Sequence, residues 1–183
     1  MEASLMLWIQ EVIRNPFLNP LMVGITMLGN GGFIWILISL CLLLSKKTRK
    51  LGCICGISLL LMFLITNGII KPLVARQRPY EAIEALQALV PPPHGSSFPS
   101  GHTASAFAVA IVLFRNMKKQ VGGCFLAMAI LISLSRIYVG VHYPTDVLGG
   151  VLLGIICAFL AQNLYEFLAK LHHHRNENES AAS

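Results

Sequence analysis

Three short strings gather residue types that a phosphate-handling site would need: Lys71 through Arg78-Pro79, then Pro99-Ser100-Gly101-His102, then Ser135-Arg136 followed by His142 and Asp146. In the third, a carboxylate four residues after a histidine can accept the Nδ1 proton, fix the tautomer and leave Nε2 as a nucleophile. A plainer reading has Asp146 complementing the dipole of a helix that starts at Pro144, with His142 as an interfacial polar residue. In the second string, Ser100 suits an N-cap, Gly101 lets an anion come close to the backbone, and His102 falls in the first turn of the helix that follows. In the first, Lys71 and Arg78 would share one face about 10 Å apart on an unbroken helix. Pro72 and Pro79 argue against such a helix. Either way two cations leave one apolar segment together, and a dianionic phosphate would compensate both. Taken alone, this pair also reads as ordinary snorkelling at a helix end.

The elements that must position these strings are apolar helices. The 183-residue chain is 55% hydrophobic and only 12% charged, which points to lipid as its solvent. Four stretches lack acidic and basic residues and approach or exceed bilayer length: Leu21 to Ser45, Leu51 to Ile70, Val121 to Ser135 and Val147 to Tyr165. A fifth, Gly101 to Phe114, is short and crosses only with Arg115, Lys118 and Lys119 snorkelling at one end. From Ser4 to Arg14, Leu5, Trp8, Ile9, Val12 and Ile13 fall on one helical face and Gln10, Glu11 and Arg14 on the other, the pattern of an interfacial helix. The expected fold is therefore all-α, a polytopic transmembrane bundle of five to six helices with an N-terminal interfacial helix. It forms one domain over residues 1–171, with a polar tail over 172–183 in which His172, His173 and His174 are solvated.

A net charge of +6 would suggest nucleic acid in a soluble protein. Here nine of the fourteen Lys and Arg, among them Lys46, Lys47, Arg49, Lys50, Arg115, Lys118, Lys119, Lys170 and Arg175, fall in short segments on one side of the spans. The positive-inside rule makes that side cytoplasmic and puts the three strings on the outer face. No nucleic-acid partner is expected. The five cysteines lie in or beside apolar runs and read as small buried hydrophobes. The longest connection, Lys71 to Pro99, carries an amphipathic piece from Tyr80 to Val90 that Pro91, Pro92 and Pro93 stop. The loop from Glu81 to Pro93 is expected to move and to shape headgroup choice. Gly150 and Gly154 suggest close helix packing, and Gly29-Asn30-Gly31-Gly32 a kink in the first span or a close helix contact.

Each charge at membrane depth costs roughly 2.5 to 3.5 kcal/mol, so three charged clusters at span ends on one side need a reason. Their order and content, Lys71-Pro-Leu-Val-Ala-Arg-Gln-Arg78-Pro79, Pro99-Ser-Gly-His102 and Ser135-Arg-Ile-Tyr-Val-Gly-Val-His142-Tyr-Pro-Thr-Asp146, resemble the three motifs of the type 2 phosphatidic acid phosphatase superfamily: K-x6-R-P, P-S-G-H and S-R-x5-H-x3-D. The resemblance implies that His142 attacks phosphorus, that Asp146 orients it, and that His102 protonates the leaving oxygen and then serves as base for water. It implies that Lys71, Arg78, Ser100, the Gly101 N–H and Arg136 hold the phosphoryl oxygens. It further implies a lipid phosphate or pyrophosphate substrate, no metal and no cofactor. Other readings are a phosphotransferase using the same covalent step, a vanadate haloperoxidase, which the apolar spans disfavour, and a non-catalytic phosphate-binding membrane protein.

Overall fold

The computed structural model describes the backbone of residues 1–181 and side chains through residue 172. His173, His174 and Arg175 of the expected tail lie outside the described side chains. Among the described residues every regular element is a helix.

Helix α1 (Glu2–Trp8) runs into a π-helical turn over Ile9–Ile13. Leu5, Trp8 and Val12 are exposed while Met6 is buried against Leu86 and Tyr143. The polar residues Gln10 and Arg14 bond back to the protein. Its outward face is thus largely apolar, with Leu5, Trp8 and Val12 exposed beside Ser4 and Glu11, as suits an interface with lipid.

Helices α2 (Leu18–Leu28) and α3 (Phe33–Leu44) make the first span, bent by 42°. The break is a 3₁₀ turn over Asn30–Gly32, in which Gly31 and Gly32 adopt φ of 59° and 72°. That left-handed backbone is strained for residues with a Cβ, so the glycine pair dictates the kink.

Helix α4 (Arg49–Ile65) continues through a π-helical turn, Thr66–Ile70, into the short α5 (Lys71–Val74). It stops where Ala75 turns left-handed at φ 45°. Lys71 and Arg78 therefore do not share one helix; they sit on either side of a reversal. The next helix, α6, covers only Pro79–Ala82. The amphipathic helix expected from Tyr80 to Val90 is limited to that first turn, because the rest is held by contacts to other elements: Leu89 N donates to Val139 O at 3.0 Å and Tyr80 Oη to Pro93 O at 2.9 Å.

The last three helices are α7 (Gly101–Asn116), α8 (Lys119–Tyr138) and α9 (Pro144–Ala181). By length and composition three segments can cross a bilayer, Arg49–Ala82, Lys119–Tyr138 and Pro144–His172, or four with the bent pair α2–α3. The 16 residues of α7 cover only about 24 Å. It can be short because it is the central helix, packed against α4, α8 and α9. Arg115 at its C-terminal end lies over the Phe159 ring at 4.0 Å, keeping its stem against apolar surface. The main core joins Trp35, Ile54, Phe107, Leu113 and Ile132.

Glycines let α9 approach α7 closely enough to set the bundle. A Cβ added at Gly154 would lie 2.7 Å from the Ala104 carbonyl oxygen, and one at Gly150 2.8 Å from that of Ser100. Gly154→Ala should therefore force the two helices apart and destabilise the protein by about 1–3 kcal/mol. Gly123→Ala, where nothing lies within 4 Å, should leave the melting temperature in detergent unchanged or raise it. Equal melting curves for the two variants would contradict this packing.

Candidate phosphoryl-transfer site

The site is assembled from the reversal after α5, the starts of α7 and α9, and the end of α8. Arg78 is 3% exposed and organises the reversal: Nε donates to Gly95 O at 2.9 Å, and Nη2 to His94 O at 3.3 Å and Ser96 O at 3.4 Å. Its Nη1 donates to Val141 O at 3.2 Å and stands 3.3 Å from His142 Nε2. One guanidinium thus locks the loop before α7 to the loop before α9 and lies against the histidine. Lys71 Nζ is 4.0 Å from where a Cβ on Gly101 would fall, so the amine sits beside the start of α7.

Ser100 caps that start as its sequence predicts. Its buried Oγ accepts from Thr103 N at 3.4 Å and from Thr103 Oγ1 at 3.0 Å, which leaves its own hydroxyl proton free to be donated. The Ser100 N–H donates to Asp146 O at 3.0 Å, fastening α7 to α9 beside both histidines.

His102 is seated by the first span. Its Nε2 lies 2.9 Å from Asn30 Oδ1, and a Cβ on Gly29 would fall 2.8 Å from its Cδ2. The Gly-Asn-Gly-Gly turn thus does more than bend a helix: it carries the amide that holds the ring and gives the ring space. The same span supplies Thr26, whose Oγ1 accepts from Arg136 Nη1 at 2.5 Å. Arg136 is 2% exposed, and its buried Nε has no partner among the described residues.

His142 lies outside the spans, in the turn joining α8 to α9, and is 2% exposed. Its Nδ1 is 3.5 Å from Asp146 Oδ2 and 3.5 Å from Ser97 Oγ. Ser97 donates to that same carboxylate oxygen, as does Tyr143 N at 2.8 Å. The expected histidine–aspartate pair is therefore a three-membered group, with a serine wedged beside the direct contact. Arg76 Nη1 binds the other oxygen, Oδ1, at 2.6 Å. With Nδ1 turned toward the carboxylate, Nε2 faces the cations with its lone pair. Burial, reinforced by the charges of Arg136 and Arg78 and only partly offset by Asp146, pushes the His142 pKa down to about 4. The imidazole is thus a neutral base at ordinary pH.

The structure brings together every residue singled out from the sequence: Lys71, Arg78, Ser100, Gly101, His102, Arg136, His142 and Asp146. Arg136, His142, Lys71 and Arg78 all act electrostatically on His102, and Lys71 and Arg136 each feel Arg78. The oxygens of Asp146, the carboxylate among them, are already engaged by Arg76, Ser97 and Tyr143 N. Three like charges held together in a low-dielectric bundle call for an anion with several oxygens. Four contributors escaped sequence reasoning: Thr26, Asn30, Arg76 and Ser97. Only Asn30 gave a signal, through the glycines around it.

An apolar cavity of about 360 Å³ begins at His102 and Gly101 and runs between α3 and α4 past Leu59 and Met62. Ile36, Leu60 and Phe63 line it and are exposed on the lipid-facing surface. The charged cluster is thus joined to a lateral, hydrocarbon-lined opening.

The family model of the PAP2 superfamily matches residues 50–169. The chain is 35% identical over 144 residues to an undecaprenyl-diphosphatase of Sulfolobus acidocaldarius, covering 79% of this chain and 69% of that one. Among solved structures it is similar to Aquifex aeolicus LpxE, with a TM-score of 0.78, 31% identity and coverage of 88% of this chain and 94% of the other. It is likewise similar to a transmembrane PAP2 type phosphatidylglycerolphosphate phosphatase of Bacillus subtilis, with a TM-score of 0.74, 31% identity and coverage of 90% and 84%. The bundle, the converging motifs and the matched family model agree: the chain belongs to the PAP2 superfamily and is a membrane phosphatase.

Proposed function

We propose that this chain hydrolyses a lipid phosphate or pyrophosphate at the outer face of the cell membrane through a phosphohistidine on His142. The observation that carries this reading is the meeting, at His102, of a cationic cluster, Lys71, Arg78 and Arg136, with an apolar cavity that opens toward lipid. A phosphoryl group satisfies the first and a hydrocarbon chain the second.

In this reading Arg78, Lys71 and the Arg136 Nε take the phosphoryl oxygens, with Ser100 Oγ and the Gly101 N–H completing the cradle. His142 Nε2 attacks phosphorus and forms the P–N bond as the P–O bond to the lipid breaks. The bond pair goes to the leaving oxygen, which receives a proton from His102. The entering dianion supplies the negative charge against which His102 can carry that proton. Water then attacks the phosphohistidine, His102 takes the water's proton, and inorganic phosphate leaves with His142 restored as a neutral base. Asp146 and Ser97 keep the Nδ1 proton turned away from the reaction throughout.

Undecaprenyl diphosphate is the first substrate to test, because an undecaprenyl-diphosphatase is among the relatives; phosphatidylglycerophosphate, prompted by the Bacillus subtilis structure, and phosphatidic acid follow. The outer-face assignment is supported by the basic residues Lys46, Lys47, Lys118 and Lys119, which sit at the end of the bundle away from the site.

Purified protein should release phosphate from these lipids in detergent with chelator present, and His142→Ala should lose that activity by at least about 10³-fold. Equal release by both proteins, or a strict need for added divalent metal, would overturn the mechanism. Asn30→Ala should lower kcat by roughly tenfold to hundredfold by freeing the His102 ring. The deficit should shrink for substrates with acidic leaving groups such as p-nitrophenol, which need no protonation. Narrowing the lateral cavity with Leu60→Trp should raise KM for long-chain substrates and leave p-nitrophenyl phosphate turnover unchanged. A matching loss on both substrates would place the hydrocarbon chain elsewhere.

A further inference from the structure

Arg76 lies inside the first motif string, yet it belongs neither to the phosphate cradle nor to the groups placed at the reacting phosphorus. Its position is unusual for a residue without a role. Nη1 donates to Asp146 Oδ1 at 2.6 Å and to Thr145 Oγ1 at 2.7 Å, and Nη2 donates to Glu2 Oε2 at 2.7 Å. The other oxygen of Glu2 accepts from Thr145 N at 3.0 Å and Thr145 Oγ1 at 2.8 Å, so Glu2 caps the start of α9 from another element. The Arg76 guanidinium also stacks over the Tyr143 ring at 4.0 Å, which fixes its plane.

The two ion pairs of Arg76 differ in kind. Its pair with Glu2 joins side chains 28% and 31% exposed and contributes little stability by itself. Its pair with Asp146 ends on a carboxylate that is 0% exposed, where geometry and charge balance are held tightly. Glu2 is itself delivered by a helix fastened further along. Gln10 Nε2 donates to Ala85 O at 2.9 Å and Gln10 Oε1 accepts from Gln87 N at 2.8 Å. Arg14 Nε donates to Tyr138 O at 3.0 Å, and its Nη1 to Gln87 O at 2.6 Å.

We infer that Arg76 is a positioning residue for Asp146 and that Glu2 of the interfacial helix positions Arg76, so that the N-terminal helix is part of the machinery that sets the basicity of the nucleophile. The inference rests on the assignment of His142 as nucleophile. His142 faces Arg78 from the reversal, Arg136 from α8, His102 from α7 and Asp146 from α9; Asp146 faces Arg76, His142 and Ser97, with Arg78 acting on it at longer range. Of these, Arg76 is the cation bonded to the carboxylate on the oxygen away from the imidazole. With Arg76 in place, one oxygen of the carboxylate is bonded to a cation, and Asp146 orients the imidazole without drawing a second proton onto it. Without Arg76, the full negative charge of Asp146 acts on His142, the imidazolium is favoured, and the fraction of neutral nucleophile at a given pH falls.

The test is the pH profile of kcat and KM on short-chain phosphatidic acid in detergent micelles for wild type, Arg76→Gln, Arg76→Lys and Glu2→Gln. Arg76→Gln should lose roughly tenfold to hundredfold in kcat with KM held, because the phosphate cradle is intact, and the acid limb of kcat should move to higher pH. Arg76→Lys, which keeps the charge but not the fork, should return the limb to its wild-type position and restore part of kcat. Glu2→Gln should lower kcat severalfold with KM held, and should add nothing in the Arg76→Gln background. An unmoved limb in Arg76→Gln, or a loss carried by KM, would overturn the inference. If Arg76→Gln cannot be recovered folded, Glu2→Gln at its partly exposed position decides: an unchanged kcat overturns it. Activity retained in His142→Ala would instead remove the nucleophile assignment on which the inference stands, whereas an inactive His142→Ala beside an ordinary Arg76→Gln would overturn this inference alone.

Discussion

The burial of Lys71, Arg78 and Arg136 at one end of an apolar bundle, with Arg78 repelling each of the other two, is the constraint on which the rest of the site depends. Guanidinium and ammonium groups placed this close inside an apolar bundle stay charged only at a cost of several kcal/mol. The protein meets part of that cost with carbonyl oxygens. Arg78 alone is offered those of His94, Gly95, Ser96 and Val141, and Arg136 the hydroxyl of Thr26. Dipoles of this kind hold a cation in place without cancelling its charge. The site therefore keeps a positive field that an anion with several oxygens would offset.

Holding such a field in register demands rigid joints between helices that would otherwise slide in lipid. The Ser100 N–H bonded to the Asp146 carbonyl joins the starts of α7 and α9. Glycines at 150 and 154 bring those helices to backbone contact along the next turns. The kinked first span then closes over the top, so that Asn30 and Thr26 reach the site from a helix that carries none of the three motif strings. Motif residues supply the charges and the two histidines; residues outside the motifs help fix where these point.

That division explains what the sequence made legible. Apolar length, basic loops and the order of three strings were enough to place eight residues at one end of a helical bundle, because each is constrained by its own neighbours: a proline, a cap, a fixed offset from His to Asp. Thr26 and Asn30 were out of reach because they act 110 and 72 residues away from their partners, and no local pattern encodes that distance. Ser97 looks like one more loop serine until Asp146 stands beside it. Arg76 sits between Lys71 and Arg78, and nothing in its immediate neighbours sets it apart from them. The segment from Tyr80 to Val90 has a helical pattern, but its apolar side chains Leu86 and Leu89 are claimed by α1 and by the end of α8, and tertiary contact overrode periodicity.

The brevity and seclusion of α7 have a consequence for how the protein enters a membrane at all. A 16-residue segment containing Thr103 and Ser105 is a poor candidate for partitioning into hydrocarbon as an independent unit. Only Met117 and Lys118 separate it from α8, which is long and apolar enough to partition alone. Insertion is best served if α7 enters as one arm of a helical hairpin with α8, its Ala104 and Ala108 face being covered once Gly150 and Gly154 of α9 dock against it.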